Sequence, residues 1–120
     1  MDNMLGGEKN IKDINSNPLG IAIKKDNTTP ISYTKTNKLI SALYMVTDIM
    51  DKEEPLRNKL RTLGTNIISD IYSMPVGALS KISEIMTFLD IAGVVNLISE
   101  MNANILRKEF FELKTAIEES

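Results

Sequence analysis

The chain has 120 residues, of which 42% are hydrophobic and 25% are charged, and its net charge is −2. That length is enough for one domain with a modest core. The chain contains no Cys and no His, which excludes disulfides, thiolate zinc sites and the Ser–His–Asp and Cys–His catalytic arrangements. We therefore expect a protein that is not an enzyme and that holds no metal, no other cofactor and no small-molecule substrate.

The N-terminus and the hydropathy of the chain bear on its compartment. The first residues, MDNMLGGEKN, are polar and include acidic and glycine residues, unlike a secretory signal. No run approaches the roughly 18 consecutive apolar residues of a membrane span, and the absence of Cys suits a reducing compartment. These features predict a cytoplasmic protein that does not cross a membrane.

Residues 1–35 differ in composition from the rest of the chain. They are rich in Asn, Asp, Lys, Gly and Thr, and most of their apolar residues occur singly. This composition predicts a flexible N-terminal arm, followed by a folded domain over residues 36–120. An alternative stays open for the apolar stretch LGIAI at 19–23, which two lysines follow, because its alternating Leu and Ile residues are also typical of an extended segment or a short strand that docks on the domain.

Two amphipathic helices are predicted over residues 37–50 and 55–72. Thr36 is the predicted N-cap of the first helix. Asp51 is the predicted N-cap of the second, with a Glu three residues later to complete a capping box and a Pro in the first turn. In both helices apolar residues recur at spacings of three and four, the period of a helix with one apolar face. These residues are Leu39, Leu43, Val46 and Met50 in the first helix and Leu56, Leu60, Leu63, Ile67 and Ile71 in the second.

Two further helices are predicted after the breaker cluster at 73–77. The third has the widest apolar face, because Ile85, Ala92 and Val95 flank its main stripe. Ser99 is the predicted N-cap of the fourth. The main stripes are Leu79, Ile82, Met86, Leu89 and Gly93 in the third helix and Ala103, Leu106, Phe110, Leu113 and Ile117 in the fourth.

Four amphipathic helices with short links predict an all-α fold, an antiparallel up-down four-helix bundle. Gly64 lies within the second helix, where it costs stability relative to Ala. We expect a packing reason for it, since a glycine lets a neighbouring helix approach closely. The aliphatic interior leaves no inward carboxylates of the kind that hold metals in di-iron bundles.

The helices resemble those of an uncharacterised bacterial family. The similar stretches are KTNKLISALYMVTDIMDKEEPLRNKLRTLGTNIISDIYS and FLDIAGVVNLISEMNANILRKEFFEL, within residues 33–115, and LYMVTDIMDKEEPLRNKLR is the most specific part. In that family the helical segment is followed by a variable linker and a winged helix-turn-helix-like segment. The resemblance implies the N-terminal domain of a DNA-binding regulator, without its DNA reader.

The layout is also similar to the four-helix bundle proteins encoded in intervening sequences of 23S ribosomal RNA genes, and to the accessory proteins of diversity-generating retroelements. Those families carry an acidic turn, an Arg in the second helix and a Gly-bearing turn. The counterparts here would be residues 52–54 for the acidic turn, Arg57 or Arg61 for the Arg, and residues 93–99 for the Gly-bearing turn. The resemblance implies ring-like homo-oligomers and, for the retroelement proteins, nucleic-acid binding through basic surfaces. This chain departs from it by lacking strong positive charge, and residues 66–70 only echo the Asn-Ile-Ala-Glu-Gly signature. Shared architecture does not transfer a function.

Two sets of residues are candidates for contact with other molecules. Arg57 and Arg61 share a helix face and, with Arg107 and Lys108, could contact nucleic acid. The alternative interpretation is solvated helix faces that neighbouring acidic residues neutralise. The second set is apolar and flanks the main stripes, so that any member left outside the core would mark an interface. It consists of Ile40, Tyr44, Ile68, Val94 and Phe111.

These observations predict a non-enzymatic oligomerisation or partner-binding domain, attached to a DNA-binding segment that this sequence does not include. It would form a homo-oligomer or bind a protein partner. The alternative is a bundle that binds nucleic acid directly, like the retroelement accessory proteins. That alternative requires the four basic residues to converge on one face and the affinity to fall steeply with salt.

Overall fold

The computed structural model describes residues 31–120. It contains four α-helices, α1 (Tyr33–Thr47), α2 (Pro55–Ser73), α3 (Leu79–Val94) and α4 (Glu100–Glu119), and a 3-10 turn, Pro75–Ala78, between α2 and α3. The described residues include no strand, so the prediction of an all-α protein with four helices is confirmed. Residues 1–30 of the predicted arm, including the apolar stretch at 19–23, lie outside the described residues.

The helices pack as a bundle in which each helix contacts the next and α4 contacts α1. Tyr33 at the start of α1 stacks on Tyr72 at the end of α2, with ring centroids 4.8 Å apart. Thr47 at the end of α1 is bonded to Arg61 in the first half of α2. The contacts between α3 and α4 likewise join the end of one helix to the first half of the other. These contacts support the predicted up-down order of the helices.

The core is formed by the apolar faces of all four helices. In α4 every predicted stripe residue is buried, and in α2 every one except the half-buried Leu56. Phe110 is the largest fully buried side chain, and the other large apolar ones are aliphatic. The expected burial of Val95 is wrong, because this residue follows the last turn of α3 and is 56% exposed.

The first helix begins earlier than predicted. Its N-cap is Ser32, whose side chain accepts a hydrogen bond from the backbone N–H of Lys35 at 3.1 Å. Thr36, the predicted cap, is buried inside the helix, and its hydroxyl donates to the Ser32 carbonyl at 2.8 Å. Residues 33–35 therefore belong to α1 and not to the arm.

The start of α2 was predicted correctly at Pro55, but its cap was not. Glu54 is the N-cap, and its carboxylate accepts a hydrogen bond from the backbone N–H of Leu56 at 3.0 Å. Asp51 lies in the turn before it. The predicted cap of α4 is confirmed, since Ser99 accepts a bond at 3.0 Å from the backbone N–H three residues later.

Gly64 allows α1 and α2 to pack closely. A Cβ placed at Gly64 would lie 3.0 Å from Leu43 Cδ2 and 3.4 Å from Ile40 Cδ1. The packing reason expected for this glycine is therefore present. Ile40 fills the space beside it and is only 4% exposed, so the expectation that Ile40 offers an outer surface to a partner is wrong.

Candidate partner-binding surfaces

The two arginines of α2 contact the end of α1 instead of facing solvent. Arg61 Nε donates to Thr47 Oγ1 at 2.9 Å, and Arg61 Nη2 donates to the Tyr44 carbonyl at 3.0 Å. The guanidinium carbon of Arg61 lies 4.5 Å from the centroid of the Tyr44 ring, a cation–π arrangement. Arg57 and Arg61 each place Nη2 3.8 Å from Asp48 Oδ1. Their side chains are only 13% and 18% exposed. We call these five residues the arginine cluster.

The arginine cluster has a structural explanation. The last carbonyls of a helix have no donor within the helix, and the partial negative charge there favours a nearby cation. Arg61 supplies both a hydrogen-bond donor and a positive charge to the end of α1. Thr47 is fully buried, and its hydroxyl donates to the Leu43 carbonyl at 2.8 Å while it accepts from Arg61. The cluster therefore joins α1 to α2.

The two basic residues of α4 lie elsewhere on the bundle. Arg107 Nε is 3.0 Å from a carboxylate oxygen of Asp90 on α3. Lys108 pairs with Glu112 on its own helix at 3.3 Å. The structure therefore brings Arg57 and Arg61 together between α1 and α2, but it pairs the other two basic residues with carboxylates at separate places. It does not gather the four into one basic surface.

The five predicted apolar candidates differ in how much of their surface is exposed in the fold. Val94 and Phe111 are 77% and 52% exposed. Ile68 is half-buried against the core. Tyr44 is 37% exposed, but its ring is already covered on one face by Arg61. With Ile40 in the core, Val94 and Phe111 are the two of the five that keep about half or more of their surface outside.

Three exposed apolar residues lie at the end of α3. Ile91, Val94 and Val95 are 43%, 77% and 56% exposed. Val94 and Val95 follow Ile91 by three and four residues, which places each of them beside Ile91 on the helix surface. We call these three residues the α3-end patch. Polar residues, Asp90 and Asn96, flank it in the chain.

The backbone around Gly93 and Asn96 fixes the α3-end patch. Asn96 adopts the left-handed conformation, with φ 64°, and its N–H bonds to the Gly93 carbonyl at 3.2 Å, which ends the helix. A Cβ at Gly93 would lie 3.0 Å from Ala103 Cβ, so α4 packs closely against this point. The patch is thus carried by a well-defined helix end.

A groove of about 360 Å³ runs between α1 and α4. Its apolar lining includes Leu39 and Leu113, which are buried, and the exposed Phe111. The charged residues that line it are Lys35, Glu109, Glu112 and Glu119. Lys35 Nζ lies 3.5 Å from Glu112 Oε1. Three carboxylates and one ammonium line the groove, and Lys108 pairs with Glu112 from outside the lining, so that the carboxylates still outnumber the nearby cations by three to two. We call this the α1–α4 groove.

Sequence reasoning missed the α1–α4 groove and two members of the α3-end patch. Val95 was expected to widen the buried face of the third helix, and Ile91 was not singled out. The signal that could have separated them was Asn96, since Asn is one of the few residues that tolerate the left-handed conformation at a helix end. No sequence pattern indicated the groove, because it depends on the spacing in the fold between two helices that are far apart in the chain.

Among residues 31–120, no group of three or more Asp or Glu residues is placed to hold a metal ion. In the same part of the chain, none of the helices has the length and apolar character needed to cross a membrane. No family model matches the chain, and no curated protein or solved structure is significantly similar to it.

Proposed function

We propose that this chain is a non-enzymatic self-association domain whose copies join through the α3-end patch. The observation that carries the proposal is the exposure of Ile91, Val94 and Val95 at one helix end. An adjacent group of exposed apolar side chains with polar neighbours is typical of protein–protein contacts.

Two further properties favour a second copy of the chain as the partner. The net charge of −2 is small, so two copies repel each other only weakly. A symmetric dimer buries the same patch from both subunits, which an apolar surface can do without a complementary charge pattern.

The proposal includes the role that the resemblance to the helical bacterial family implies. Self-association would set the number of DNA-binding segments held together in a regulator. Linked readers bind repeated sites more tightly through effective concentration, without any new base contact. This part of the proposal is supported by the resemblance alone.

The test is the solution mass of the full chain, measured by light scattering over a range of concentrations. We expect the mass to rise above the 13.4 kDa of one chain. Val94→Glu should weaken association at least about tenfold, roughly 1.4 kcal/mol, because a charge would be buried in the contact. Ser83→Glu is the matched control, because it adds the same charge at an exposed position of the same helix.

Circular dichroism should show that both variants keep their helices. A mass of one chain at every concentration would contradict self-association. A dimer that Val94→Glu leaves unchanged would instead show that copies associate through another surface. Met45→Glu, which alters an exposed apolar side chain on α1, is a second comparison that should leave association intact.

A further inference from the structure

The α1–α4 groove suits an apolar segment that also carries positive charge. Leu39, Phe111 and Leu113 offer apolar contacts. The carboxylates of the lining outnumber its single ammonium group. An occupant with aliphatic side chains and neighbouring lysines would satisfy both properties of the groove.

The described part of the chain begins beside this groove. Ile31 packs against the core and Ser32 lines the groove, so the first described residues lie at its edge. Residues 19–25, LGIAIKK, combine aliphatic side chains with two lysines, and they lie outside the described residues. The five residues 26–30 can span up to about 17 Å. This reach is enough for residues 19–25 to contact a groove whose lining begins at Ser32.

We propose that the α1–α4 groove binds residues 19–25 of the same chain. The aliphatic side chains of this segment would contact the apolar lining, and Lys24 and Lys25 would lie near the carboxylates of α4. Because the segment is attached to the protein, its effective concentration at the groove is about millimolar, so that a weak contact suffices. This proposal does not depend on the α3-end patch.

The absence of Cys from the chain allows a direct test by cross-linking. The full chain would carry Gly20→Cys and Thr115→Cys, which place one thiol in the segment and one in the groove lining. Oxidation by glutathione disulfide should form a bond within one chain. The matched control adds Ile21→Ser and Ile23→Ser, which preserve the connection and remove the apolar contacts. We expect this control to form the bond at least about tenfold more slowly.

A second pair of variants tests the charges. Lys24→Glu with Lys25→Glu should slow cross-linking severalfold, since it places negative groups beside the carboxylates of the groove. Lys9→Glu with Lys12→Glu changes the net charge by the same amount, at positions outside the segment. This control should cross-link at the rate of the parent.

A measurement without new thiols covers the case in which Thr115→Cys disturbs the bundle. Ile21→Ser with Ile23→Ser in the otherwise native chain should shift the amide resonances of Phe111 and Ala116 and leave those of α2 in place. Equal cross-linking rates in parent and control, or unchanged resonances, would overturn the proposal. A bond formed between two chains, recognised by its doubled mass, would also overturn it, since the occupant would then come from a second copy.

Discussion

Arg61 is the side chain that ties the end of α1 to α2. It donates to a buried hydroxyl and to a backbone carbonyl, and its guanidinium lies over the ring of Tyr44. Lysine cannot reproduce two donors in a fixed planar arrangement. We predict that Arg61→Lys lowers the free energy of unfolding by about 1–2 kcal/mol, measured by urea denaturation.

Arg107→Lys is the control for this prediction. Arg107 also pairs with a carboxylate, but both partners are about half exposed, at 46% and 52%. Exposed ion pairs contribute little, so the change in unfolding free energy should stay within about 0.5 kcal/mol. Equal losses for the two substitutions would contradict the structural role of the arginine cluster.

The arginine cluster also shows a limit of sequence reasoning at the residue scale. The spacing of four residues correctly indicated that Arg57 and Arg61 share one face of a helix. It could not indicate what that face meets, since Tyr44 and Asp48 come from another helix. A prediction of phosphate contact and one of helix pairing are equally compatible with the spacing.

At the scale of the helices, Asn96 ends α3 in the Schellman arrangement. The N–H of Leu97 bonds to the Ala92 carbonyl at 2.8 Å, which requires the positive φ of Asn96. A β-carbon makes that conformation costly, and Asn tolerates it better than Ala. We predict that Asn96→Ala lowers the unfolding free energy by about 1 kcal/mol, whereas Asn96→Gly causes no loss.

Asn66→Ala gives the matched comparison, because Asn66 is exposed within α2 and has no positive φ. Ala is the better helix former there, so this variant should be slightly more stable than the parent in the same urea titration. An increase in stability for Asn96→Ala as well would contradict the left-handed conformation of Asn96 at the end of α3.

Gly64 sets the distance between α1 and α2. Replacing it by Ala gains about 1 kcal/mol of helix propensity. It also places a methyl group 3.0 Å from Leu43 Cδ2 inside a full core, and overpacking costs about 1–3 kcal/mol. We predict a net loss of about 1 kcal/mol for Gly64→Ala in thermal or urea unfolding.

A double variant separates overpacking from other causes of such a loss. Leu43→Val shortens the side chain that the new methyl group would meet, at a cost of its own. With both substitutions, the loss should be smaller than the sum of the two single losses, because the two sites are in contact. Additive losses, or a stabilised Gly64→Ala, would show that α1 does not approach α2 as described.

At the scale of the whole molecule, Ile40 and Val94 show which parts of the fold could be predicted. Both lie beside an apolar stripe, and the helical period placed both at the edge of the core. Ile40 is buried because Gly64 on another helix makes room for it, whereas Val94 is exposed because α3 ends there. The helices themselves follow from local periodicity. The outer surfaces depend on contacts between distant segments and on helix ends, which periodicity does not contain.

The dependence on salt separates the two functions that the sequence predicted. Association through the uncharged α3-end patch involves little charge, so its dissociation constant should change less than about threefold between roughly 50 and 500 mM NaCl. Light scattering at both salt concentrations measures this change in the dissociation constant.

Nucleic-acid binding through four basic residues would weaken about 10³-fold over the same range, because each phosphate contact releases a counterion. Fluorescence anisotropy with a labelled oligonucleotide provides the parallel titration. Tight oligonucleotide binding with that steep dependence, in a chain that stays monomeric, would favour the nucleic-acid function. Since Arg61 already bonds within the bundle and the other three basic residues pair with carboxylates, we expect salt-insensitive association and no such binding.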